Sequence, residues 1–125
     1  LKKYLCVAIL SFICLVWFIS NKEYYPPLPL SSIGKKEAIS TLHYSSGNIA
    51  KIVEEGGYDW YITIMEQGRG YTNVTQMMNN SGWSLQKRDG NGLFFMKKDR
   101  TIIVTTEMWT GKYILCKVPK EWRNT

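Results

Sequence analysis

The chain has one histidine, three cysteines and four prolines in 125 residues, and each scarcity removes a class of chemistry. His43 stands alone, with no carboxylate cluster beside it, so a zinc site or a histidine-dependent triad lacks its partners. Cys6 and Cys14 fall in an apolar amino-terminal run, which leaves Cys116 as the only cysteine of the remaining chain and allows no disulfide within that part. Between Leu115 and Lys117, in a strand-like run, Cys116 reads as a small buried hydrophobe rather than a nucleophile. A full phosphate loop is also missing. Gly68-Arg69-Gly70 precedes a helix-like segment whose N–H groups suit an anion, but the further glycines and the Lys-Ser or Lys-Thr ending are absent, so it reads as a plain turn. No cofactor is implied.

What is present is sufficient for one small domain and too short for a two-domain enzyme. Apolar residues make up 45% of the chain, with five Trp, eight Tyr and four Phe to fill a core. Tyr4 to Ser20 carries no charge. As a helix it would be about 25 Å long, a little short of the ~30 Å hydrocarbon core. Cleavage would require small residues one and three positions before the cut, and Phe18 is too large for a site after Ser20. Neither Cys6 nor Cys14 has a small residue before it, as a lipoprotein would need. Residues 1–20 are therefore expected to be an uncleaved signal anchor. Lys2 and Lys3 precede it, while Lys22 and Glu23 cancel beyond it, which places residues 21–125 outside the cytoplasm, at a bacterial cell surface.

Pro26, Pro27 and Pro29 bias residues 21–33 to an extended path and predict a semi-rigid stalk lifting the domain off the bilayer. Residues 34–125 then read as an extracytoplasmic α+β domain. A short amphipathic helix runs to about His43, with Ala38, Ile39 and Leu42 on one face. Strands at Asn48–Glu55 and Tyr58–Glu66 flank the hairpin signal Gly56-Gly57. The second alternates Trp60, Ile62 and Ile64 against Tyr61, Thr63 and Met65, which predicts one core face. A helix from Asn73 to about Ser81 has Asn73 as its cap, Gln76 completing a capping box, Val74, Met77 and Met78 as its stripe, and Gly82 as its terminator. Four strands follow, at Trp83–Arg88, Leu93–Lys98, Thr101–Trp109 and Tyr113–Val118. The expected architecture is an antiparallel sheet of five or six strands with one or two short helices packed on one face. The strand order is left open.

Charge is unevenly spread. Residues 21–82 carry five Lys/Arg against six Asp/Glu, and residues 83–125 nine against four. Lys87 and Arg88 flank one turn and Lys97, Lys98 and Arg100 the next, so successive hairpin ends are expected to gather positive charge. Such a patch suits anionic lipid or wall polymer, and equally it protects sheet edges. Nucleic acid is not an expected partner, because the domain is placed outside the cytoplasm and carries no motif for it.

For hydrolysis, Glu55 and Asp59 are the carboxylates that would approach each other across Gly56-Gly57. Acidic residues beside a turn are more often solvated. Trp60, Trp83 and Trp109 read as core in preference to a sugar platform. Asn73-Val74-Thr75 and Asn79-Asn80-Ser81 match the glycosylation pattern but are explained by the helix. The basic anchor, the proline segment and Gly82-Trp83 followed by Gly92-x-x-Phe95 resemble, in general outline, small surface-anchored proteins of Gram-positive bacteria. No site residue follows from that resemblance. The expected function is a non-catalytic interaction module of the envelope, held in the membrane by residues 4–20 and binding an envelope protein or anionic polymer. The alternatives are a small immunity or inhibitor protein that blocks a partner through its sheet face, and a secreted hydrolase.

Overall fold

A computed structural model describes residues 1–21, 25–45 and 47–124. Lys22 and Glu23, the charges expected to cancel beyond the anchor, lie outside the described residues with Tyr24, as do Ser46 and Thr125. The first helix, α1, spans Lys2–Asn21. It is long and apolar enough to cross a membrane, and its side chains are exposed through Ile19.

The α+β domain has the expected antiparallel sheet. Its elements are α2 (Lys35–Tyr44), β1 (Ile49–Glu55), β2 (Tyr58–Ile64), α3 (Arg69–Asn80), β3 (Ser84–Asp89), β4 (Gly92–Lys97), β5 (Arg100–Met108) and β6 (Tyr113–Pro119). A 3-10 turn at Glu66–Gly68 leads into α3, and another at Lys120–Asn124 follows β6. The spatial order is β1-β2-β6-β5-β4-β3. Consecutive hairpins make β1-β2 and the meander β3 to β6. The last strand then joins the two halves by pairing with β2 from Tyr58↔Pro119 to Ile64↔Tyr113.

Local chemistry explains the turns. Gly56 and Gly57 both take positive φ, 62° and 84°, which a two-residue hairpin loop requires and glycine adopts without a steric cost. Both edge strands carry a register irregularity, at Lys51/Val53 in β1 and Leu85/Lys87 in β3. Bulges of this kind bend an edge away from chance pairing.

The sheet is buried on two faces, not one. Side chains alternate along each strand, and in β2 Asp59 and Thr63 are as buried as Ile62. On one face α3 contributes Val74 and Met78 to a cluster with Trp83, Phe95, Val104 and Cys116. On the other, α2 contributes Ala38 and Leu42 to a cluster with Trp60, Ile62, Tyr113 and Leu115. The two short helices thus lie on opposite faces, because Cys116 and Leu115 are neighbours in β6 and point opposite ways. Helix α3 begins at Arg69, four residues before the expected cap. Its first turn is free to start there because Gly70 lets the helix approach the sheet: a Cβ at that position would meet Ile114 Cγ2 at 2.7 Å. Asn73 is therefore inside the helix, and its amide donates to Thr63 Oγ1 at 2.9 Å instead of capping.

The proline segment also differs from the free spacer that its composition predicts. Residues 25–33 form a strap on the α2 face. Tyr25 stacks on Trp109 with 5.5 Å between ring centroids, the Trp109 indole N–H donates to the Pro26 carbonyl at 2.8 Å, and Leu30 is buried. At its other end Glu55 accepts the backbone N–H groups of Ser31 and Ser32, at 3.2 and 3.0 Å, and both hydroxyls. Prolines lacking N–H groups suit a strap that contacts the sheet through side chains.

Candidate interaction surface

Two places gather chemistry-bearing residues: an ionic cluster at one corner and an uncovered half of the sheet face. At the corner, Asp59 is fully buried. It accepts the Trp122 indole N–H at 2.9 Å and the Arg123 guanidinium at 2.8 and 3.0 Å, with the Lys51 ammonium at 3.5 Å. Its cross-strand neighbour Glu54 pairs with Lys51, Arg123 and Lys120. The hydrogen bond from Lys51 holds the Glu54 carboxyl below its ordinary value, with the charges of Lys51, Arg123 and Lys120 adding to it. Tyr61, packed edge-on against Trp122, has its phenol pushed up to about 12 by burial and by the negative charge of Asp59.

This arrangement corrects the carboxylate pair considered for hydrolysis. Glu55 pairs with Tyr58 in register and turns to the strap, while Asp59 turns to the α3 face. The carboxylates that do meet are Glu54 and Asp59, and three cations neutralise them. Each acceptor is engaged by a donor, so the cluster is a clamp holding the carboxy-terminal 3-10 turn to β1 and β2. Glu55 is likewise held below its ordinary value, by hydrogen bonds from Ser32 and Ser31.

The other single residues fall into structural positions. Trp60, Trp83 and Trp109 are buried. Cys116 is fully buried, and burial pushes its thiol up to about 12. His43 is exposed, with Nε2 3.2 Å from the Tyr113 hydroxyl. Gly68 is left-handed ahead of α3, and Gly70 is packed on Ile114 and Met65. Among the described residues no group of three His, Cys, Asp or Glu is placed to hold a metal ion.

The second place is larger. Helix α2 and the strap pack on the β1-β2-β6 side of their face and reach Glu107 and Met108 at the end of β5, and among the described residues the rest of β3-β4-β5 is left open. There the register sets Lys87, Phe94 and Ile103 in one cross-strand row and Met96 beside Thr101 in the next. Ile103 and Met96 are 45% and 40% exposed. The Lys87 ammonium lies 4.7 Å from the Phe94 ring centroid, and Lys117 lies over Tyr58 and Trp60 at the border with the covered half. The strip is thus apolar, flanked by two lysines. Its signal in the sequence was the doublets Phe94-Phe95 and Ile102-Ile103, which put an apolar side chain on both faces of a strand whose outer positions would ordinarily be polar.

The five basic residues expected to cluster are divided instead. Consecutive hairpin turns in a meander lie at opposite ends of the sheet, so Lys87 and Arg88 are at one end and Lys97, Lys98 and Arg100 at the other. Lys87 and Arg88 also turn to opposite faces, Arg88 stacking on Tyr71 of α3 at 3.8 Å. Lys97 donates to the Ser81 carbonyl at 2.9 Å. No family model matches the chain, and comparison with curated proteins and with solved structures finds no match.

Proposed function

We propose that the protein is a membrane-anchored, non-catalytic module whose domain stands outside the cytoplasm and binds another envelope protein through the open half of the sheet. The observation that carries the reading is the strip of exposed Met96 and Ile103 with half-buried Phe94, left uncovered among the described residues on a face whose other half is sealed by α2 and the strap. Exposed apolar side chains grouped on a rigid surface and rimmed by charge mark protein contacts. Lys87 and Lys117 favour a partner whose apolar patch is bordered by acidic groups. The apolar length of α1 and the two lysines at its amino end support the anchor and its orientation.

The test is site-specific photocrosslinking in cells that produce the full chain. A photoreactive residue at Ile103 should give one discrete protein adduct that the same residue at Thr72, exposed on α3, does not give. Phe94→Glu should abolish the adduct while leaving the melting temperature unchanged. Adducts of equal yield from both positions, or none from Ile103, would refute the reading. A captured partner whose own activity falls on binding would make the module an immunity or inhibitor protein.

A further inference from the structure

The strap has a consequence for where the domain sits. Tyr25 is fixed three ways: its ring stacks on Trp109, its carbonyl accepts the Lys35 ammonium at 2.9 Å, and the next carbonyl, of Pro26, accepts the Trp109 indole. Helix α1 ends at Asn21. Four Cα–Cα steps join Asn21 to Tyr25, which span at most about 15 Å. A head-group layer is about 5–8 Å deep on each side of the hydrocarbon core. With Asn21 at the edge of that core, Tyr25 stands within about 10 Å of the outer limit of the head groups.

The end of the domain held there is defined by the β5–β6 turn. Lys112 and Gly111 are exposed in it, and the Met65 N–H donates to the Lys112 carbonyl at 2.8 Å. Helix α2 ends beside it, with His43 on the Tyr113 hydroxyl. The next residue, Tyr44, is 91% exposed. An exposed tyrosine and a lysine next to a spanning helix are the residue types that settle at the membrane–water interface, with the ring among head groups and the ammonium at phosphates.

Resting on the anchor reading, we infer that the end of the domain carrying Trp109, Lys112 and Tyr44 docks onto the phospholipid head groups of the membrane that α1 crosses. The Lys97–Arg100 end then points away from the bilayer. The basic residues there do not serve as the lipid contact.

The full chain, with Cys6→Ala and Cys14→Ala, is reconstituted into vesicles of phosphatidylcholine and phosphatidylglycerol that contain a head-group spin-labelled lipid. Cys116 stays unlabelled because it is fully buried. A fluorophore is attached at Lys112→Cys, at Tyr44→Cys or, at the far end, at Asp99→Cys. Docking predicts quenching severalfold stronger at positions 112 and 44 than at 99. Equal quenching at the three positions, or the strongest at 99, overturns the docking and leaves the anchor standing. A chain that fails to float with the vesicles overturns the anchor reading, and the docking with it.

Discussion

The carboxylate of Asp59, the second residue of β2, and the indole N–H of Trp122, beyond the end of β6, are hydrogen-bonded at 2.9 Å across 63 positions of sequence. The bond fastens the carboxy-terminal 3-10 turn onto the first hairpin and seals one end of the α3-side core, in which Trp122 is a member. Asp59→Ala leaves the buried indole N–H without its acceptor and the Arg123 guanidinium with Glu54 alone. The expected loss is about 3 kcal/mol. Trp122→Phe, which keeps most of the ring packing, is expected to lose about 1 kcal/mol. Urea unfolding of both variants checks the difference.

Gly70 is required by closeness of packing, not by backbone angle. A methyl group at this position would sit 2.7 Å from Ile114 Cγ2 and 2.9 Å from Met65 Sδ. Gly70→Ala should therefore destabilise the domain by about 1–3 kcal/mol, although alanine is the better helix former. A variant at least as stable as the parent in thermal unfolding would mean that α3 can lift from the sheet without cost.

Lys98 occupies the β4–β5 turn with φ of 56°, one of two non-glycine residues at positive φ among those described. That conformation strains an L-residue, and glycine relieves the strain while adding freedom to the unfolded chain. Lys98→Gly should stabilise by about 0.5 kcal/mol, read as a rise in melting temperature.

Acid should loosen the strap. The serine hydrogen bonds hold the Glu55 carboxyl below its ordinary value of 4.5 in the folded protein. Its contribution is therefore complete above pH 4.5 and is lost as pH falls through the lowered folded value. The melting-temperature gap between the parent and Glu55→Gln should be widest near neutrality and close in that acid range. Trp109 fluorescence should report the loss of Tyr25 stacking at the same pH. A gap that does not change with pH would show that the carboxylate does not hold the strap.

The elements were largely legible because their causes are local. Gly56-Gly57 specified a hairpin, the Val74/Met78 spacing a helix, and the mostly apolar run at Tyr113–Val118 a strand. What sequence could not reveal were relations between distant segments. The strap depends on Glu55 meeting Ser31 and Ser32, and nothing in a run of prolines distinguishes a docked segment from a free one. The early start of α3 depends on a packing contact between Gly70 and Ile114. The division of the basic residues depends on which end of the sheet each turn occupies. The open strip was visible only as apolar doublets, whose second face could be assigned once α2 and the strap were known to pack on the β1-β2-β6 side.

The position of β6 also sets an order of events for the growing chain. Residues 49–64 and 84–108 form two sheet pieces with no direct pairing to each other, and the strand that pairs with both is made after them. Until residues 113–119 arrive, β2 and β5 each present a bare hydrogen-bonding edge, and both core clusters lack their central side chains. An emerging chain therefore waits, open and prone to wrong pairing, for its final strand. Closure by that strand joins the two pieces into one six-stranded sheet, so the full set of backbone pairings is available only once residues 113–119 have been made.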